Sequence, residues 1–98
     1  QISPAPTAII AACDAMAAGV LQAALQAKIA VPDALSVIGF GDTPLASATA
    51  PALASLRIPL EDMAMAATRA VLDPENPAPL LPFRIELIAR ASLAPPAQ

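Results

Sequence analysis

Two short, uninterrupted apolar runs bracket one alanine-rich stretch, and that order constrains the fold of this chain more than any other feature. Thr7–Ala12 (T-A-I-I-A-A) and Leu35–Phe40 (L-S-V-I-G-F) are brief and carry β-branched members. Such runs suit strands covered on both faces of a parallel sheet. Between them, about Ala15 to Ala27 is built from Ala, Leu, Met and Gln, which favour helix. Asp14 is placed to act as its N-cap, Lys28 complements its C-terminus, and Pro32 prevents continuation. Ala17, Val20, Ala24 and Ala27 share a face that Leu21 and Leu25 widen, so much of this helix is expected to be covered. Strand, helix and strand within about 35 residues predict a βαβ unit with a right-handed crossover.

The rest of the chain extends the same pattern. Gly39 and the Gly41-Asp42 pair end the second run, and Thr43–Ala52 reads as a small-residue loop closed by Pro51. Ala54–Ile58 is a third candidate strand. Pro59 at a first helical position, Glu61 and Asp62 in the opening turn and Arg69 near the close predict a helix to about Leu72. Leu60, Met63, Ala67, Ala70 and Val71 would line its buried face. Asp73–Pro82, with four prolines, is a turn or linker. Phe83–Ala89 alternates apolar Phe83, Ile85 and Leu87 with Arg84 and Glu86, which predicts a half-buried strand near a sheet edge. The tail Ala94–Gln98 is expected to fray. Met16, Met63 and Met65 read as core filler.

Composition narrows the functions. Hydrophobic residues make up 57% of the 98 positions and charged residues 13%, which excludes a disordered tail. Aromatic residues are 2% and roughly a quarter of the residues are Ala, so the core must be assembled from small contacts. With no His, a Ser-His-Asp triad, a Cys-His dyad and His-containing zinc sites are impossible within the chain. The lone Cys13 cannot form an intrachain disulfide. There is no phosphate-cradling glycine loop and no nucleophile beside a base. Asp14 and Asp42 both follow candidate strands, but without His, Lys or a metal cluster they make a weak catalytic pair. No catalytic residue, metal site or cofactor is expected. The net charge of −3 argues against a nucleic-acid surface in this segment, and no apolar stretch approaches the ~20 residues that span a bilayer. The start at Gln1, lacking both Met and a basic run, gives the expectation that residues upstream were removed and that no signal peptide is present.

The residues P-T-A-I-I-A-A-C-D-A-M-A-A-G-V-L-Q-A-A-L (Pro6–Leu25), V-P-D-A-L-S-V-I-G-F-G-D (Val31–Asp42), P-A-L-A-S-L-R-I-P-L (Pro51–Leu60) and R-A-S (Arg90–Ser92) resemble the C-terminal part of LacI/GalR-family transcriptional regulators. The resemblance covers nearly the whole chain in order. It implies an α/β class: a parallel-sheet βαβ segment of a periplasmic-binding-protein-like (type I) fold, with an additional helix and a C-terminal strand. Residues 1–57 would then belong to a C-terminal subdomain, 58–82 to a helix and linker of the N-terminal subdomain, and 83–92 to a returning strand. The implied function is effector sensing and dimerisation in a cytoplasmic bacterial repressor. DNA would be bound only by a helix-turn-helix domain absent from this chain, and no membrane is involved. The alternative with the same fold is the C-terminal part of a periplasmic sugar-binding protein of an ABC transporter.

Carried over by position, the resemblance marks Cys13, Gly41, Asp42 and Ile58 as ligand-binding positions for a small-molecule effector. Three of them depart from the family: an Asn has become Cys13, an Asp has become Gly41, and a Gln has become Ile58. Losing the carboxylate alone weakens a polyol ligand by roughly 10- to 150-fold. Asp42 could swing in to replace it, since Gly41 leaves room. Cys13 also reads as a small buried hydrophobe, Asp14 as a simple cap, and Arg57 and Arg90 as solvated or paired across strands. The homodimer interface would comprise Ala18, Leu21, Gln22 and Leu25 with Ala48, Thr49, Ala50 and Pro51, although these could equally pack within one chain.

Overall fold

The computed structural model describes residues 3–76 and 83–96. The elements run in order β1 (Ala8–Ile10), α1 (Asp14–Gln26), β2 (Ser36–Phe40), α2 (Pro44–Ala48), β3 (Ala54–Arg57), α3 (Leu60–Leu72) and β4 (Glu86–Ile88), all but α2 as expected. The sheet runs β1-β2-β3-β4. Its first three strands are parallel and β4 is antiparallel at the edge. Parallel strands need a crossover, which α1 supplies between β1 and β2 and the short α2 supplies between β2 and β3.

The core lies on one face of this sheet. Ala17, Leu21 and Ala24 of α1 turn inward onto Val37 and Leu53, while Ile9 and Val20 pack at the margin. Small residues let α1 sit close to the strands, so this core is dense with alanine. Strand alternation sends Ile9 toward it and leaves Ile10, on the opposite face, 69% exposed. The expectation that the first strand is buried on both faces therefore fails, because among the described residues no layer covers the second face.

Several other expectations are corrected. Thr43–Ala52 is not all loop: Pro44 opens a helical turn and Ala46 is fully buried in the core. The Thr-Pro start carried that signal, since Pro is preset for a first helical position. The helix α3 forms as expected, yet Leu60, Met63, Ala67, Ala70 and Val71 are not buried, because among the described residues nothing lies against its apolar face. Met16, Met63 and Met65 are likewise exposed rather than core filler. The strand β4 is at an edge but is largely exposed, with Leu87 half uncovered. Residues 77–82 of the proline-rich linker lie outside the described residues.

The end of the chain is tied down by two serines. Ser92, fully buried, occupies the place beside β2 just before β3 begins. Its carbonyl accepts from Val37 N–H at 2.9 Å, its hydroxyl donates to the Val37 carbonyl, and the same hydroxyl accepts from Ala54 N–H at 2.8 Å. One residue thus satisfies buried backbone groups that a longer β3 would have paired. Ser36 Oγ donates to the Ala94 carbonyl at 2.9 Å and accepts from Ala94 N–H at 3.1 Å, so the tail is anchored at Ala94 rather than frayed there.

Ser92→Ala strands the Val37 carbonyl and the Ala54 amide without partners. It is expected to lower unfolding free energy by about 1–3 kcal/mol in urea denaturation. Ser→Ala at the exposed Ser3, where no such groups are orphaned, should leave the midpoint unchanged.

Candidate functional site

The parallel pairing brings the carboxyl ends of β1, β2 and β3 to one edge, where ligands of open α/β sheets bind. Cys13 follows β1, Gly41 and Asp42 follow β2, and Ile58 follows β3, so the register gathers all four positions on that edge. Cys13, Gly41, Asp42 and Ile58 are each half-buried as residues.

Asp14 is the centre of the edge, although its sequence position suggested a mere cap. Cys13 holds the N-cap position of α1 with extended backbone and makes no capping side-chain bond. Asp14 itself is the first helical residue, only 1% exposed, with its carboxylate turned into the protein. Oδ2 accepts from the Thr43 amide at 2.6 Å and the Thr43 hydroxyl at 2.8 Å, while Oδ1 accepts from the Ser55 hydroxyl at 2.6 Å. Three donors and the positive end of α1 stabilise a charge that would otherwise be costly to bury. The carboxylate fits because Gly39 has no side chain: a Cβ there would collide with Asp14 Oδ1 and crowd Leu53. Thr43 and Ser55 were not picked out from the sequence. The available signal was a serine inside the apolar run A-L-A-S-L, since a buried hydroxyl needs a partner.

A second cluster adjoins the first through Ser55, whose hydroxyl accepts from the Asp42 amide at 3.0 Å. Gly41 has φ +112°, a region closed to most side chains, and Asp42 follows with φ +48°. The turn folds Asp42 back over the sheet, where its carboxylate meets two arginines. Arg57 Nε donates to Oδ2 at 2.7 Å, and Arg90 Nη2 lies 2.7 Å from Oδ1. Oδ1 has no hydrogen-bond partner of good geometry among the described residues, and Arg90 is its ion-pair partner. Arg90 is steadied by donating Nη1 to the Leu53 carbonyl at 2.8 Å. The Arg90 guanidinium holds the Asp42 carboxyl below its ordinary value of 3.8, partial burial opposes this, and Arg57 adds to the lowering. The Asp42 side chain is 5% exposed and already committed, so it does not swing out to replace the acid missing at Gly41. The arginines pair with this turn, not across neighbouring strands.

On α1, Leu21 is 7% exposed and belongs to the core, which corrects its outward assignment; helical geometry turns it toward Val37's layer. Ala18 is half-buried, whereas Gln22 and Leu25 face outward, Leu25 being 71% exposed. Ala48 and Ala50 are exposed, Thr49 donates to the Pro51 carbonyl at 2.9 Å, and Pro51 is half-buried. A shallow hollow of about 290 Å³ bordered by Ala64, Met65, Thr68 and Arg69 lies along α3, away from the strand ends. Among the described residues, no group of three or more His, Cys, Asp or Glu is placed to hold a metal ion.

The family model for the periplasmic binding protein-like domain matches residues 1–93. The HTH-type transcriptional regulator MalR of Streptomyces coelicolor is 41% identical over 92 residues, covering 90% of this chain and 27% of MalR. A LacI family transcriptional regulator from Mycobacterium smegmatis superposes with a TM-score of 0.83 at 30% identity, covering 96% of this chain and 36% of that one. A LacI family regulator from Lactobacillus casei, solved with bound glucose, gives a TM-score of 0.76 at 31% identity, covering 90% and 32%. The chain thus spans about a third or less of the length of these relatives.

Gly39→Ala is expected to cost about 1–3 kcal/mol by pressing a methyl group onto Asp14 and Leu53, read as a lower denaturation midpoint. Asp42 contributes stability that is complete above its ordinary value of 3.8 and is lost as pH falls through its lowered native value. Asp42→Asn should therefore flatten the acid limb of a stability-against-pH curve below about pH 4, while leaving the slope near neutrality unchanged.

Proposed function

This chain belongs to the LacI/GalR family, within its periplasmic binding protein-like domain, and we propose on that premise that it is the effector-sensing and dimerising segment of a bacterial transcriptional regulator. The observation that carries this reading is the alignment of three parallel strand ends along one edge, closed by the buried Asp14 network. A small molecule bound outside those ends would shift the balance between DNA-competent and DNA-incompetent states. Such coupling typically amounts to 1–3 kcal/mol, a 5- to 150-fold change in operator affinity. The kinship with helix-turn-helix regulators supports this over a transporter's periplasmic sugar-binding component. A DNA-regulating role implies the cytoplasm, and no catalysis is proposed.

Residues 1–57 form one lobe in this reading, 58–82 cross into the second lobe, and 83–92 return. The uncovered apolar face of α3 supports that division, because a helix with Leu60, Met63 and Met65 exposed lacks its packing layer. DNA contact would come from a helix-turn-helix segment outside this sequence. The outward side of α1, with Ala18, Gln22 and Leu25, and the exposed end of α2, Ala48 to Pro51, would meet their two-fold mates in a homodimer.

In the full-length regulator, light scattering is expected to give a dimer, and Leu25→Glu should shift it toward monomer with an unchanged circular dichroism spectrum. Fluorescence anisotropy on DNA flanking its own gene should show operator binding that a small-molecule panel alters at least fivefold. A stable monomer that ignores every DNA segment would overturn the reading.

A further inference from the structure

We propose that Arg57 is a two-position latch where the chain leaves the sheet for α3, paired with Asp42 in this structure and with Glu86 in a second state, while Arg90 holds Asp42 in both. The regulatory weight of that exchange rests on the effector-sensing reading above. A single carboxylate, that of Asp42, takes two guanidinium groups, Arg57 at 2.7 Å from Oδ2 and Arg90 at 2.7 Å from Oδ1. One positive charge is surplus. The two arginines are held unequally: the Arg90 side chain is 18% exposed and also donates to the Leu53 carbonyl, whereas that of Arg57 is 56% exposed. Arg57 is therefore the one that leaves at low cost, and the Asp42 charge is still compensated when it does.

The backbone fixes the alternative partner. Strands β3 and β4 are antiparallel, and Arg57 stands directly opposite Glu86. Residues so paired send their side chains to the same face with Cβ atoms about 4.5–5.5 Å apart, well within the reach of an arginine. Glu86 is exposed and, among the described residues, has no ion-pair partner. Turning from Asp42 to Glu86 needs only side-chain rotation, and it converts two cations on one anion into two matched pairs. With Arg57 on Asp42, the 41–42 turn is tied to the last residue of β3, shortly before α3 begins. With Arg57 on Glu86, that tie is cut, and the end of β3 is fastened instead to the start of β4, where the chain comes back from α3. Glu61 and Asp62 also stand near this exit, but in the first turn of α3, where the helix dipole favours them. Arg84 precedes β4 and is exposed.

The test uses the full-length regulator. A crystal structure of the Asp42→Asn variant is expected to show the Arg57 guanidinium at ion-pair distance from the Glu86 carboxylate. A guanidinium that stays at the 41–42 turn, or extends into solvent, overturns the exchange. Fluorescence anisotropy on operator DNA reads its weight. Asp42→Asn favours the second state and Glu86→Gln the first, so the two are expected to shift operator Kd in opposite directions, each by about two- to fivefold, the scale of an exposed ion pair. The Glu86→Gln shift should vanish in an Arg57→Gln background, and neither Glu61→Gln nor Arg84→Gln should reproduce it. Shifts of the same sign, or a Glu86→Gln shift that survives Arg57→Gln, overturn the inference. An exchange seen in the crystal with operator affinity unmoved also overturns it and leaves the regulator reading standing. If no variant and no wild-type protein binds DNA, it is the reading that fails, and the crystal structure alone still decides the exchange.

Discussion

A carboxylate buried at the start of α1 governs the edge of the sheet. Asp14 is 1% exposed, and such a charge persists only when surrounding donors replace water. Those donors come from separate parts of the chain: Thr43 from the turn after β2 and Ser55 from β3. Burying Asp14 therefore draws helix, turn and strand to a common point. Gly39 is the steric condition, since any side chain there would occupy the space of the carboxylate.

Asp42 performs a similar service for the return of the chain. Its partners are the last residue of β3 and Arg90, which lies just past β4. Arg57 also stands immediately before the passage into α3, and Glu86, its register partner, opens β4. The ion pairs consequently join the turn at the strand ends to the end of β3, where the chain leaves for α3, and to the segment just past β4. Ser92 completes the attachment at the far end of β2 and β3, where its hydroxyl and carbonyl stand in for missing strand backbone. The polar residues of this lobe thus hold the turn, the end of β3 and the segment past β4 together.

The surface is as informative as the core. Ile10, Leu25, Val71 and Leu72 are each more than two-thirds exposed, an uncommon concentration of large apolar groups for a lobe with so little charge. The covered face of the sheet is satisfied by α1 and α2. Among the described residues its opposite face and α3 are not, and they match a segment that spans about a third or less of its relatives. Local propensity formed α3 without a partner, so its amphipathic pattern identifies a face that wants burial without supplying the layer that provides it.

Local chemistry was enough to locate most elements. The β-branched runs of β1 and β2, the alanine-rich helix between them and the Pro59 start of α3 are properties of adjacent residues, and the order of motifs pointed to the family. Where reading failed, the deciding forces were long-range. Asp14 looked like a cap because any acid before a helix does; Thr43 and Ser55, 29 and 41 positions away, made it the centre of a buried network. Met63 and Val71 looked buried because periodicity marks a face but not its cover. The sequence by itself determined which segments are strands and helices, since those choices depend on neighbours along the chain. Only the tertiary structure decided which charges are spent on one another, because that depends on distances between residues far apart in sequence.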